Sequence, residues 1–199
     1  MRIVLATNNK GKIRELQALL APLNMQVLPK SQFTEEEVAE TGSTFLENAL
    51  IKARHAAGAA GLPAIADDSG IEVDALDGAP GIFSARYAGE GASDEDNLNK
   101  LLDAMKSVPD HLRTARYRCA LVYVRSADDS QPLCCEANWE GSITHAPMGD
   151  GGFGYDPVFW LAEYQKTSAQ ISAELKNQLS HRAKALQQLI SLLRASESR

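Results

Sequence analysis

The chain has few cysteines, few aromatics, no long apolar run and no excess of positive charge. Its three cysteines are Cys119, Cys134 and Cys135. Two are adjacent, and no spacing makes a CxxC pair or a zinc knuckle. They read as reduced thiols of a cytoplasmic protein. The early apolar run from Ile3 to Ala6 stops at Thr7, Asn8, Asn9 and Lys10. That is too short for a signal peptide, and no later run approaches a membrane span, so no membrane partner is expected. The 20 Lys and Arg against 26 Asp and Glu leave a net charge of -6. This balance argues against nucleic acid as a partner, although a few local lysines suffice for a small anion. No linker, repeat or low-complexity run divides the 199 residues, and 44% of them are hydrophobic. One domain is expected over 1–199, with two lobes around a cleft.

What is present centres on AIADDSGIEVDALDGAPG, Ala64 to Gly81. The β-branched and small residues around Ile65, Ile71 and Val73 read as a strand. Two acids, Asp67 and Asp68, sit within it, followed by Ser69 and Gly70. Side chains alternate across a strand, so the two carboxylates cannot face one cleft. One suits a site, and the other suits a hydrogen-bonded place behind it. A carboxylate on a buried strand is costly unless paired, and a metal ion is one such partner. A plain DDSG turn fits these residue types equally well.

The chain opens with a strand from Arg2 to Ala6, then TNNKGKIRE, then a helix with Ile13, Leu16, Leu19 and Leu20 on one face. Strand, polar loop and helix present backbone N–H groups and a helix N-terminus to phosphate. A Walker A loop is excluded, because that motif needs Gly where Ala6 stands and Ser or Thr where Ile13 stands. Lys10 and Lys12 can still neutralise phosphate, or the segment is a solvated turn. A second strand is expected from Leu23 to Leu28. Thr44 and Glu47 fit a capping box, opening a helix through Asn48, Lys52 and His55 to Ala60, stopped by Gly61. Taken alone, Lys52 reads as an exposed helix lysine. Glu40 lies just ahead of this helix, after a largely solvated acidic segment.

Ser93 caps a helix ended by Pro109, with Asp94, Glu95 and Asp96 as capping acids. Arg113 to Arg125 and Leu133 to Thr144 read as an antiparallel ribbon. MGDGGFGYDPVF follows, with four glycines between Gly149 and Gly154. Phe153 and Tyr155 are either core aromatics or, for Phe153, a stacking surface for a flat ligand. Ser168 to Gln178 is expected to be one helix, with Lys176 near its end. Ser180 is the expected N-cap of the last helix, which carries His181 and Arg182 in its first turn. Cations are disfavoured at that helix end, which points to an anion or acceptor close by.

Taken together, VLATNNKGKIRE, ETGSTFLENALIKA, AIADDSGIEVDALDGAPGIFSARYAG, GGFGYDPVF and KNQLSHRAKAL resemble the Ham1-like non-canonical purine NTP pyrophosphatases, the RdgB/ITPase family. The resemblance spans nearly the whole chain in order. Asn8 is a departure, since a small residue is usual there in bacterial relatives. The resemblance implies an elongated α/β fold with a mixed, curved sheet flanked by helices, and two lobes with a central substrate cleft. It implies a homodimer that hydrolyses ITP, dITP or XTP to the monophosphate and pyrophosphate. By position it implies a substrate loop of Thr7, Asn8, Asn9, Lys10, Gly11 and Lys12. Asp68 would be the catalytic residue and a Mg2+ ligand, with Glu40 as its acidic partner. Ser69, Phe153, Gly154, Tyr155, Asp156, Lys176, His181 and Arg182 would complete the substrate site.

These residue types suit that chemistry. Mg2+ takes oxygen ligands and only one or two protein carboxylates. An aspartate with an ordinary pKa near ~4 is a weak base, so a metal-acidified water is the better nucleophile source. Arg182, with His181, can donate to the 6-keto oxygen of hypoxanthine or xanthine, where an adenine amino group would set donor against donor. Two other readings remain from residues alone: a triphosphatase acting on canonical or pyrimidine nucleotides, and a nucleotide sensor without turnover. A sensor has no use for a water-activating acid.

Overall fold

Strand and helix alternate from the second residue as far as the fourth strand, and the computed structural model describes residues 2–21 and 25–197. Seven strands hydrogen-bond in the order β2-β1-β3-β4-β5-β6-β7. They are β1 (Arg2–Leu5), β2 (Gln26–Pro29), β3 (Ala64–Val73), β4 (Thr114–Val124), β5 (Leu133–Ile143), β6 (Phe159–Leu161) and β7 (Lys166–Thr167). β1 pairs in parallel with β2 and with β3. β6 pairs antiparallel with β5 and with β7, so the sheet is mixed. The Ile143 N–H donates to the Arg113 carbonyl at 2.9 Å, placing the end of β5 beside the start of β4, as the expected ribbon requires.

Among the described residues, five helices accompany the sheet: α1 (Lys10–Leu20), α2 (Phe45–Ala60), α3 (Asp94–Ala104), α4 (Ala173–Leu179) and α5 (His181–Glu197). α2 buries a stripe of small residues, Ala49, Ala53, Ala56 and Ala57. Gly61 ends it with φ 62°, a conformation glycine adopts without strain. Thr44 caps it as expected, accepting from the Glu47 N–H at 3.1 Å. The Glu47 carboxylate accepts from Ser43, from its N–H at 2.7 Å and its hydroxyl at 2.8 Å. In α3 both halves of a capping box are present, between Ser93 and Asp96.

Three boundaries differ from the sequence reading. The second strand begins at Gln26, and Leu23 lies outside the described residues. α3 stops at Ala104, ahead of Pro109, and the buried Arg113 guanidinium donates to the carbonyls of Met105 (2.7 Å) and Val108 (3.1 Å) just past its end. α4 starts at Ala173, capped by Ser172, and not at Ser168. Thr167 is consumed by β7, and the Ser168 N–H donates to Phe159 O at 2.8 Å, so these residues continue the sheet.

The chain divides into two compact units. Unit 1 comprises Met1–Asp68, Cys119–Ala137 and Arg182–Arg199. Its core joins Ile3, Leu5, Leu16, Leu20, Ile65, Leu121, Leu186 and Leu189. Unit 2 comprises Ser69–Arg118 and Asn138–His181. Its core joins Ile71, Val73, Leu101, Met105, Tyr117, Trp139, Tyr155 and Phe159. No helix of the described residues is long and apolar enough to cross a membrane.

Candidate active site

In unit 1 the loop after β1 is tied down by its own side chains. Thr7 Oγ1 accepts from the Asn9 N–H at 3.1 Å. Asn9 is the N-cap of α1, and its Oδ1 accepts from the N–H groups of Gly11 (2.9 Å) and Lys12 (3.0 Å). Two of the helix-end donors expected to face phosphate are thus held by Asn9. Asn8 reaches outward and donates to Glu37 at 2.9 Å, while Lys10 is exposed.

β3 carries Asp67 and Asp68 in opposite directions, as strand alternation requires. Asp67 is 1% exposed. It accepts from Arg182 Nε at 2.9 Å and from the Cys119 thiol at 3.1 Å, and it pairs with the ammonium of Lys12. Arg182 is itself fully buried and also pairs with Glu15. Burial alone would raise the Asp67 carboxyl, but the charges of Arg182 and Lys12 outweigh it and hold the group well below its usual range. The same network lifts the Cys119 thiol: burial first, then the Asp67 charge, disfavours the thiolate.

Asp68 faces a different set. Lys52 Nζ donates to Asp68 Oδ1 at 2.5 Å and to Glu40 Oε1 at 2.9 Å. Lys52 is therefore not the surface lysine its sequence position suggests. α2 delivers it, two turns from the Thr44 cap, between two carboxylates. Burial pushes the Asp68 carboxyl upward and the Glu40 charge adds to that, against the pull of Lys52 and Lys12. Burial lowers Lys52, but the charges of Asp68 and Glu40 exceed it and leave the ammonium harder to deprotonate. The Glu40 loop is steadied by Asn48, fully buried in α2, whose Oδ1 accepts from the Gly42 N–H at 2.8 Å.

Two carboxylates converging on one ammonium form a donor set that suits a hard divalent cation completed by water and phosphate oxygens. Among the described residues no group of three or more His, Cys, Asp or Glu is placed to hold a metal ion, so any cation on Asp68 and Glu40 would take the rest of its ligands from water and substrate.

In unit 2 the loop before β6 is organised on Asp156, 1% exposed. Asp156 Oδ2 accepts from the Phe153 N–H at 2.9 Å and from Lys176 Nζ at 2.5 Å. Its Oδ1 accepts from the Ser168 hydroxyl at 2.8 Å and the Tyr117 hydroxyl at 3.3 Å. Gly152, at φ 72°, passes so close that an added Cβ would lie 2.0 Å from Asp156 Oδ2. The glycine run is thus a closely approached loop. Lys176 Nζ lies 5.0 Å from the Phe153 ring centroid, and Phe153 is half-buried. Tyr155 is a core aromatic whose hydroxyl donates to Ser84 O at 2.7 Å, while the Gly154 N–H donates to Asp94 at 2.8 Å. His181 is buried, with its ring stacked on Tyr117. Ser69 follows Asp68 on β3 and is partly exposed.

Unit 1 brings together Lys12, Glu40, Asp67, Asp68 and Arg182, and unit 2 brings together Phe153, Asp156, Lys176 and, through Tyr117, His181. The sequence reading placed one of the two acids behind the site, as Asp67 is, but missed Glu15, Tyr117 and Ser168 and gave Lys52 no carboxylate partners. For Lys52 a signal existed: it stands eight residues after the Thr44 cap and twelve after Glu40, on a helix that follows an acid. Nothing in the sequence marks Glu15, Tyr117 or Ser168.

An open mixed α/β sheet with a polar strand–loop–helix at its first strand is the arrangement of proteins that bind small anions at a helix N-terminus. The chain belongs to the Ham1 family, whose profile matches residues 3–192. It is 59% identical over 192 residues, 96% of each chain, to a Vibrio cholerae protein named dITP/XTP pyrophosphatase. It is 56% identical to the protein of the same name from Photobacterium profundum, over 97% of this chain and 98% of that one. Among solved structures, a Ham1 protein from Coxiella burnetii superposes with a TM-score of 0.89 at 45% identity, covering 98% of this chain and 99% of that one.

Proposed function

We propose that this protein hydrolyses the non-canonical purine nucleoside triphosphates dITP, XTP and ITP to the monophosphate and pyrophosphate, clearing them from the nucleotide pool. The observation that carries this reading is the Lys52-centred pair of Asp68 and Glu40, in a chain whose relatives are named dITP/XTP pyrophosphatase.

Mg2+ is the proposed cofactor, held by Asp68 and Glu40; when bound it supplies positive charge to the phosphates and acidity to a bound water. Asp68 orients the attacking water and takes its proton. A new P–O bond forms, the linkage between the α- and β-phosphates breaks, and pyrophosphate leaves with the linkage's electron pair. Thr7, Asn8, Asn9, Lys10, Gly11 and Lys12 meet the phosphates, and Lys12 leaves Asp67 to do so. Lys52 offsets charge that develops on the leaving group. By the family resemblance, Ser69, Phe153, Gly154, Tyr155, Asp156, Lys176 and His181 of unit 2 are proposed as substrate contacts, and Arg182 of unit 1 as a further one. Phe153 offers a face for the base and His181 a donor for a 6-keto oxygen; the resemblance implies a donor role for Arg182 as well, which would require it to leave Asp67 or Glu15.

We read the two units as lobes of a single ITPase-like domain over 1–199, since β3, β4 and β5 each run through both. The proposal also includes a homodimer, as the family resemblance implies. Three free cysteines support a cytoplasmic setting. The acidic balance supports the absence of nucleic-acid and membrane partners.

The test is product analysis with Mg2+ and a panel of dITP, XTP, dGTP, dATP and dCTP. Pyrophosphate from the 6-keto, non-canonical purines is expected. Orthophosphate release, or equal rates on dCTP, would sink the reading. Asp68→Asn is expected to reduce turnover by about 10^3-fold or more while the fold persists; a near-normal rate removes Asp68 from its role.

A further inference from the structure

We propose that Tyr117, on β4, is a positioning residue for His181: its ring sets the plane of the imidazole and its hydroxyl ties that plane to Asp156. The inference rests on the reading of His181 and Asp156 as substrate-site residues. The two rings are nearly parallel, with centroids 4.7 Å apart and planes 9° apart. That is an offset stack at close range, the arrangement aromatic pairs favour. Trp139 continues the stack, 6.4 Å and 24° from Tyr117 and 6.4 Å and 22° from His181. Phe159 closes the other side, tilted 55° against Tyr117 with centroids 4.6 Å apart. Tyr117 is buried in this cluster, so its ring has one orientation to offer.

His181 is the first residue of α5, directly after Ser180, whose backbone is extended. A histidine χ2 torsion is broad and imposes no sharp preference of its own. The Tyr117 face therefore defines where the imidazole edge points. The tyrosine hydroxyl donates at 3.3 Å to Asp156 Oδ1, while Asp156 Oδ2 holds Lys176 and the Phe153 N–H. One side chain thus touches both His181 and the carboxylate that arranges Lys176 and Phe153. Nothing in the geometry brings Tyr117 to substrate itself; it acts through these neighbours.

The test combines a spectrum with kinetics. The chain has four histidines, His55, His111, His145 and His181. In the wild type, the His181 ring protons, assigned by their loss in His181→Asn, are expected upfield of those of the exposed His111 and His145. The shift persists in Tyr117→Phe and collapses in Tyr117→Leu. Tyr117→Phe keeps the stack and loses one long hydrogen bond, so kcat/KM for dITP falls by no more than about fivefold. Tyr117→Leu raises KM for dITP by about tenfold with kcat largely kept. In the His181→Asn background the Tyr117→Leu effect disappears.

A His181 resonance indistinguishable from His111 in the wild type overturns the proposal. So does a Tyr117→Leu loss of equal size with and without His181, which is the signature of a general packing role. Should Tyr117→Leu not fold, the wild-type and Tyr117→Phe spectra decide the matter alone. A wild type that leaves dITP intact refutes the proposed function, while the His181 spectra still decide the stack.

Discussion

Lys52 Nζ lies 2.5 Å from Asp68 Oδ1, although sixteen residues separate them in the chain. Helix α2 and strand β3 each deliver one partner, and Glu40 supplies a second acid at 2.9 Å. The ammonium keeps two carboxylates together against their mutual repulsion.

Lys52→Gln should therefore expose that dependence. Removing one partner of a buried pair costs about 3–5 kcal/mol, because the remaining charges are left uncompensated; partial exposure of this group places the expected loss toward the low end. Adding Mg2+ without nucleotide should restore more of the thermal midpoint in Lys52→Gln than in the wild type. Thermal melts with and without Mg2+ measure this. Equal metal responses in the two proteins would contradict the shared role.

The Asp67 carboxyl sets an acid limit on stability. Its folded pKa lies below the unfolded value. Its contribution is therefore fully present above the unfolded pKa, near ~4, and is lost as pH falls through the folded value. Urea titrations from pH 7 down to pH 2 should show Asp67→Asn less stable at pH 7, with a smaller further loss in acid than the wild type. Parallel curves would mean that Asp67 carries no such linkage.

Arg182→Ala is expected to reduce stability as well as selectivity. Arg182 is fully buried and paired with Asp67 and Glu15, so its removal takes a cation from two acids, with Lys12 left to Asp67, at a cost of about 3 kcal/mol. The sequence reading alone pointed to a change in base preference. The structure adds the stability loss. Preference for dITP over dATP should fall in the fraction that remains folded. Denaturant midpoints and substrate ratios measured on the same preparation check both effects; an unchanged midpoint would rule out the buried pair as described.

The thiols should separate by reactivity. Cys134 is exposed, Cys135 is buried with its thiol pushed up to about 11, and Cys119 is fully buried against Asp67 with its thiol raised well above the usual value. The thiolate is the reactive form. In native protein at pH 8, alkylation should reach Cys134 first, Cys135 slowly and increasingly as pH approaches 11, and Cys119 only after unfolding. Peptide mapping after timed alkylation tests the order, and early labelling of Cys119 would refute its placement.

The residue pattern carries the frame of this protein. β1, the Thr44-capped helix ending at Gly61, the DDSG strand and the β4–β5 ribbon were all legible. Each is written in local terms: a run of β-branched residues, a cap, a stop, an alternation. Boundaries failed where a distant partner took over a residue, as Phe159 of β6 took Ser168 from the expected fourth helix. Alternation along β3 was enough to say that Asp67 and Asp68 face apart. It could not say which cations each would meet. Lys12, Lys52 and Arg182 lie 55, 16 and 115 residues from their partners. Only the packing of α1, α2 and α5 in the folded protein decides that Arg182 and Lys12 go to Asp67 and that Lys52 goes to Asp68. The same holds for the Tyr117–His181 stack: an aromatic on a strand and a histidine opening a helix have no mutual signal in sequence, because ring stacking depends on where two separate backbones pass.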